Sequence, residues 1–174
     1  MRRIAATLGL FLIAGCGYTT QGMLDPAYKT VYVKPVVNKV KFTEETQLGA
    51  GVRTLPPQIE NRFTAALRDR MLRDGNLKSV DMASADLLLE VEITDYVREG
   101  MRYDDNQKIN EQRLKLVYNY VLKNQEGTEV NKGSLIADEL YANSGTHMRS
   151  EEVALRDLLD DAGRRVVQDI VEAW

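Results

Sequence analysis

Ala85-Asp86-Leu87-Leu88-Leu89-Glu90-Val91-Glu92-Ile93-Thr94-Asp95-Tyr96-Val97 is the stretch that sets the fold. Leu87, Leu89, Val91 and Ile93 share one parity, and Glu90, Glu92 and Thr94 share the other. A period of two sends successive side chains to opposite faces of a strand, so this strand has one dry face and one wet face. Antiparallel sheets commonly show that pattern. The dry face needs a cover, and the rest of the chain has to supply it.

Downstream, Arg98 to Asn110 is polar, with a turn at Tyr103-Asp104-Asp105-Asn106. A second strand runs from Glu111 to Lys123, with Leu114, Leu116, Tyr118, Tyr120 and Leu122 on one face and Arg113, Lys115, Val117, Asn119 and Val121 on the other. Gln125-Glu126-Gly127 reads as a turn before another strand over Lys132 to Ala142. Upstream, Thr30 to Val37 alternates Val31, Val33 and Val37 against Thr30, Tyr32 and Lys34. Pro35, which lacks an amide hydrogen, marks an edge or a strand end.

Two helices can provide the cover. Pro56-Pro57 opens the first, where a missing donor is harmless. Ile59, Phe63, Ala66, Leu67 and Met71 then recur at spacings of three and four, and Gly75 stops the helix. Leu77 to Val80 is a short strand or a connection. Ser150 caps the second helix, Glu151 and Glu152 suit its first turn, and an apolar stripe runs from Val153 through Leu155, Leu158, Leu159, Ala162, Val166 and Ile170 to Trp174. The expected fold is α+β: two helices packed on one face of a mainly antiparallel sheet of about four strands, with the other sheet face uncovered.

The N-terminus carries a different message. Arg2 and Arg3 precede an apolar run from Ile4 to Ala14, and Leu12-Ile13-Ala14-Gly15-Cys16 reads as a bacterial lipobox. Eleven residues fall short of the roughly 20 that cross a bilayer. Residues 1–15 are therefore expected to be a lipoprotein signal peptide. Residues 16–174 are expected to form one periplasmic domain, anchored by lipid on Cys16. The resemblance to bacterial lipoproteins, in which aspartate after the cysteine tends to retain them at the inner membrane, implies the outer membrane here, where Gly17 follows the cysteine.

Composition narrows the chemistry. Without Arg2 and Arg3 the chain keeps 21 basic residues against 26 acidic ones, about −5, so nucleic acid is not an expected partner. Cys16 is the only cysteine and His147 the only histidine, in a polar turn. A lipidated sulfur is neither nucleophile nor metal ligand, and no metal site or cofactor is expected beyond the covalent lipid. Gly49-Ala50-Gly51 lacks the Lys-Ser or Lys-Thr of a phosphate loop. The adjacent pairs Glu44-Glu45, Asp104-Asp105 and Glu151-Glu152 read as solvated charge, because neighbours on a strand point to opposite faces.

Several segments resemble one family in order and spacing. Cys16-Gly17-Tyr18, Val31-Tyr32-Val33-Lys34-Pro35-Val36-Val37-Asn38, Glu60-Asn61-Arg62-Phe63-Thr64-Ala65-Ala66-Leu67, Ala85-Asp86-Leu87-Leu88-Leu89, Ile93-Thr94-Asp95-Tyr96-Val97-Arg98-Glu99, Tyr103-Asp104 and Glu111-Gln112-Arg113-Leu114 are similar to LptE, the lipopolysaccharide-assembly lipoproteins. The loop from Lys39 to Leu55 is longer than usual and the last strand matches poorly. The resemblance implies a non-enzymatic outer-membrane lipoprotein that partners and plugs an LptD-type β-barrel and assists lipopolysaccharide transport. Two other classes fit an anchored domain of this size: an adaptor or pilotin for another outer-membrane secretion complex, and a periplasmic hydrolase using paired carboxylates.

For lipopolysaccharide, cations must meet phosphate. The densest supply is Arg98, Arg102, Lys108, Arg113 and Lys115, interleaved with Tyr96 and Tyr103. Arg102, Arg113 and Lys115 are the candidate binding residues, although a solvated sheet edge diluted by Glu99, Asp104, Asp105 and Glu111 would carry the same pattern. Candidate barrel contacts on the uncovered face are Tyr32, Lys34, Glu90, Glu92 and Asn119.

Overall fold

The computed structural model describes residues 27–40, 54–146 and 148–172; the lipobox, Glu44-Glu45, Gly49-Ala50-Gly51, His147 and Trp174 lie outside the described residues. Strands β1 (Thr30–Val33) and β2 (Val37–Asn38) precede helix α1 (Ile59–Asp74). Then come β3 (Lys78–Ser79), a 3-10 turn (Met82–Ser84), β4 (Leu87–Tyr103), β5 (Ile109–Asn124), β6 (Glu129–Ala142) and helix α2 (Glu151–Glu172). The class is α+β, with both helices on one sheet face, as expected.

The sheet corrects the expectation in number and direction: it is six-stranded and mixed. Its order is β3-β1-β4-β5-β6, and β2 pairs with β4 beyond the end of β1. The β4–β5 and β5–β6 pairs are antiparallel. The pairs β1–β3, β1–β4 and β2–β4 are parallel. The cause lies in the connection: α1 separates β1 and β2 from β3 and β4, and a crossover through a helix returns the chain in its original direction, whereas a short turn reverses it.

Thr30 to Val37 is also not one strand. β1 pairs with Leu87–Leu89 of β4, and β2 resumes at Glu92–Ile93. Between them Lys34 donates its amide to the Leu89 carbonyl (3.0 Å), and Pro35, without a donor, sits at the break. Val36 turns into the core, and its amide donates to Thr64 Oγ1 (2.9 Å), which itself donates to the Glu60 carbonyl (2.7 Å). A helix hydroxyl thus replaces the missing ladder bond, satisfying a buried donor that would otherwise be costly. At the other end of β1, Asp86 Oδ2 accepts from the amides of Lys29 and Thr30 and from Thr30 Oγ1, which accepts from the Asp86 amide. These bonds, the Thr30 hydroxyl foremost, hold the Asp86 carboxyl below its ordinary pKa.

The strand read as ending at Val97 runs on to Tyr103. A bulge explains why: Ile93 pairs with Tyr118 and Asp95 with Val117, leaving Thr94 as the extra residue. The buried parity then changes from odd to even, and Tyr96 follows Ile93 in the core. Arg98 to Tyr103 is therefore ladder rather than loop. The turn is Asp104 to Lys108, where Asp104 Oδ1 accepts from the amides of Asn106 (2.9 Å) and Lys108 (2.8 Å).

Helix α1 starts after Gln58, two residues later than Pro56-Pro57 suggest, and buries Ile59, Phe63, Thr64, Leu67 and Met71. Gly75 ends it at φ 80°, its amide donating to the Met71 carbonyl (3.3 Å). Ser150 Oγ accepts from the Val153 amide (3.3 Å), capping α2. The core lies between helices and sheet. Phe63 meets Tyr118 edge to face, with centroids 5.2 Å apart and planes at 80°. Tyr118 Oη donates to the Ala162 carbonyl (3.0 Å) and Tyr120 Oη to Asp169 Oδ2 (2.5 Å). Gly133 makes room for the second bond, since a Cβ there would lie 2.6 Å from Tyr120 Cε1 and 2.9 Å from Asp169 Oδ2.

Candidate functional site

The sheet face turned away from the helices is laid out in cross-strand rows. From the β1 end these are Tyr32-Leu88-Lys123, then Glu90-Val121-Lys132, with Lys34 beside Glu90, then Glu92-Asn119-Ser134. Beyond the bulge follow Asp95-Val117-Ile136, Val97-Lys115-Asp138, Glu99-Arg113-Leu140 and finally Arg102-Glu111. Partners in such rows have Cβ atoms about 5 Å apart and interact directly.

Opposite charges pair both within these rows and between neighbouring ones. Glu90 sits between Lys34 (2.6 Å) and Lys123 (2.7 Å). Lys39 reaches Glu92 at 2.8 Å. Arg113 holds Glu99, its Nε donating to Oε2 at 3.0 Å, and Arg102 lies 3.6 Å from Glu111. The Lys123 and Lys34 ammonium groups, Lys123 first, hold the Glu90 carboxyl below its ordinary pKa despite some desolvation. Because the folded pKa is depressed, this contribution to stability is present above the ordinary carboxylate range and lost as pH falls through the lowered value. All three side chains are about a third exposed, so the pairs are screened. Glu90→Gln is expected to lower stability by less than about 1 kcal/mol at neutral pH, and urea titrations should show the two proteins converging in acid.

The five candidate barrel contacts, Tyr32, Lys34, Glu90, Glu92 and Asn119, share this face. The candidate lipopolysaccharide residues do too, clustered toward the hairpin. Their availability differs. Arg113 is committed to Glu99, which raises its pKa. Arg102 is three-quarters exposed and loosely paired. Lys115, between Val97 and Asp138, has no ion pair among the described residues. The other members of the basic stretch disperse. Tyr96 is buried in the core, Arg98 points to the helix side and binds Glu151 (2.7 Å), and Lys108 and Tyr103 stand exposed at the hairpin end.

Two groupings escaped the reading of the sequence. Lys123 shares the parity of Arg113 and Lys115, so alternation placed it on this face, but its pairing with Glu90 needs the β4–β5 register. On the helix side, Tyr96, Arg98, Gln112, Tyr141 and Glu151 converge from four elements near a cavity of about 500 Å³ lined by Arg98, Gln112, Tyr141, Arg149 and Glu151. Burial and the nearby Glu151 carboxylate push the Tyr141 phenol up to about 12 and raise that of Tyr96, so both are neutral at physiological pH; Tyr141 Oη donates to Gln112 Oε1, whereas the buried Tyr96 Oη has no hydrogen-bond partner among the described residues. Glu151 and Glu152 go to different arginines, Arg98 and Arg62 (2.7 Å each), and do not act as a carboxylate pair.

Solved structures of related shape include a minor lipoprotein from Acinetobacter baumannii, 15% identical, covering 83% of this chain and 94% of its own at a TM-score of 0.48. Rare lipoprotein B from Shewanella oneidensis is 14% identical, with 82% and 95% covered and a TM-score of 0.47. Comparison with curated proteins finds no match. Kinship rests instead on the family comparison, which spans every described strand and helix: residues 28–172 match LptE, lipopolysaccharide-assembly, and the chain belongs to that family.

Proposed function

We propose that this chain is an outer-membrane lipoprotein, anchored through Cys16 on the periplasmic side, that seats inside an LptD-type β-barrel as a plug and assists lipopolysaccharide transport to the membrane surface. The observation that carries this reading, beside family membership, is the open sheet face. Two helices occupy one side of the sheet, and the other is left as a polar, ion-paired platform that suits a wet barrel lumen. The role is that of a partner and carrier, not an enzyme. A mild-detergent pull-down of the lipidated protein from its native membrane is expected to bring down one large LptD-type barrel in stoichiometric amount. A secretin in its place would overturn the reading and favour an adaptor or pilotin.

The anionic headgroup is assigned to the hairpin end of the same face. Changing Arg102, Arg113 and Lys115 together to alanine is expected to weaken lipopolysaccharide binding by about tenfold or more, since one charge-assisted hydrogen bond is worth about 1.5 kcal/mol or more. Lys115→Ala and Arg102→Ala should account for most of the loss, because Arg113 is already spoken for by Glu99 whereas Arg102 is only loosely paired. Unchanged binding of the triple variant in a vesicle or micelle assay would remove the assignment.

A further inference from the structure

The sheet has one long edge. β6 is a 14-residue strand hydrogen-bonded to β5 on one side. Among the described residues its other side is paired only at Ala142, through a bridge to Met148. Which residues turn their backbone outward follows from that end. The Ala142 carbonyl accepts from the Arg149 amide (3.0 Å), and the Leu140 carbonyl accepts from the Arg149 guanidinium, so even-numbered residues face out. The register with β5 is unbroken from Ala142 to Asn131. Period two then leaves the amides and carbonyls of Lys132, Ser134, Ile136 and Asp138 directed away from the sheet. The run is bounded on one side by the irregularity opposite Leu122/Lys123 and on the other by Arg149. Proteins usually blunt such an edge, because it templates pairing with another strand.

We propose that this edge pairs with the same edge of a second copy of the chain, antiparallel and about a two-fold axis at Leu135. This register is the one in which all four outward residues serve one another: Lys132 faces the partner copy's Asp138 and Ser134 its Ile136. The side chains fit the register as well as the backbone does. Two opposite-charge pairs form across the joint, Lys132 with Asp138 and its symmetry mate, and Lys132 has to give up only its exposed pair with Glu129. On the helix side, the partly buried Leu135 meets its own copy, and small Gly133 faces small Ala137. Slipping the register by two residues in either direction sets Lys132 against Ile136 or against Leu140, where Arg149 already occupies the carbonyl. Seven paired residues make a small interface, so the dimer is weak and forms at high local concentration. The inference does not depend on the barrel: it concerns the chain before any barrel encloses it.

The test is the mass of the purified full chain in detergent, by sedimentation at rising concentration, with four variants. Wild type is expected to dimerise. Lys132→Asp or Asp138→Lys alone sets like charges opposite each other twice and is expected to weaken the dimer by about tenfold. The double swap K132D/D138K restores complementarity and should recover it. Ile136→Pro removes an outward amide that the fold does not use, so it is expected to leave the circular dichroism spectrum intact and the chain monomeric. A wild type that stays monomeric at every concentration, or single swaps that dimerise as wild type does, would overturn the proposal. If wild type is monomeric while Ile136→Pro no longer co-purifies with a barrel, the edge belongs to a barrel strand and not to a second copy. Because the mass is read without the barrel and the pull-down with it, failure of this inference and failure of the plug reading are separate results.

Discussion

Phe63→Ala is expected to lower folding stability by about 3–5 kcal/mol, the range for emptying a large aromatic site in a well-packed core. The position concentrates several dependencies. Phe63 is completely buried on α1 and meets the Tyr118 ring of β5 edge to face. Tyr118 in turn donates to the Ala162 carbonyl of α2, so one aromatic pair joins both helices to the sheet. Removing the ring leaves a void on the Tyr118 side that neighbouring Leu67 and Ile59, held by the same helix turn, fill only in part. Domains of this size are stable by about 5–15 kcal/mol, so the variant retains a fold with little margin. Urea unfolding followed by circular dichroism gives the number directly. Phe63→Leu, which keeps most of the volume, should lose much less, and equal losses for the two would mean that the cavity is not the cause.

The contrast between this core and the open face follows what alternation can and cannot encode. Leu87 to Ile93 and Leu114 to Leu122 announce both their strands and their buried parity, because a period of two is a property of the residues alone. Thr94 hides the continuation: one extra residue moves the buried set to the other parity, and the polar run from Arg98 onward then reads as loop although it is ladder. Parity says which face a residue takes, not which strand lies beside it. The parallel placement of β1 and β2 along β4 was therefore out of reach of pattern, even though Pro35 marked the break between them. The candidate site divides in the same way. That Arg113 and Lys115 lie on the open face with Glu90, Glu92 and Asn119 was legible. That Arg113 is tied to Glu99, fourteen residues away, while Lys115 is not, depends on register across a hairpin whose length the bulges disguise.

Cys16→Ser is expected to release the protein from the membrane altogether while leaving the folded domain unchanged. Among the described residues no helix is long and apolar enough to cross a bilayer, and the attachment proposed above is the lipid on Cys16. The lipobox Leu12-Ile13-Ala14-Gly15-Cys16 offers its site. A diacylglyceryl thioether on the sulfur and an acyl group on the new amine would place several chains in the bilayer. At about 0.8 kcal/mol per buried methylene, one chain binds marginally and two or more bind stably. A serine cannot form the thioether, so the loss is of the whole anchor rather than of a fraction. Because the proposed barrel partner would retain a folded plug, the measurement is made in cells depleted of an LptD-type barrel, by separating membrane from soluble periplasmic protein. There wild type should sediment with membranes and Cys16→Ser should remain soluble, with the two purified domains giving the same spectrum. Serine-variant protein that still sediments with membranes when it is exported behind a leader whose cleavage does not need Cys16 would show that attachment lies in the folded domain, and the open sheet face would then have to be reconsidered as a membrane-facing surface. Gly17→Asp adds a second arm: it leaves the lipid in place and is expected to move the protein from outer to inner membrane, which separates the existence of the anchor from its address.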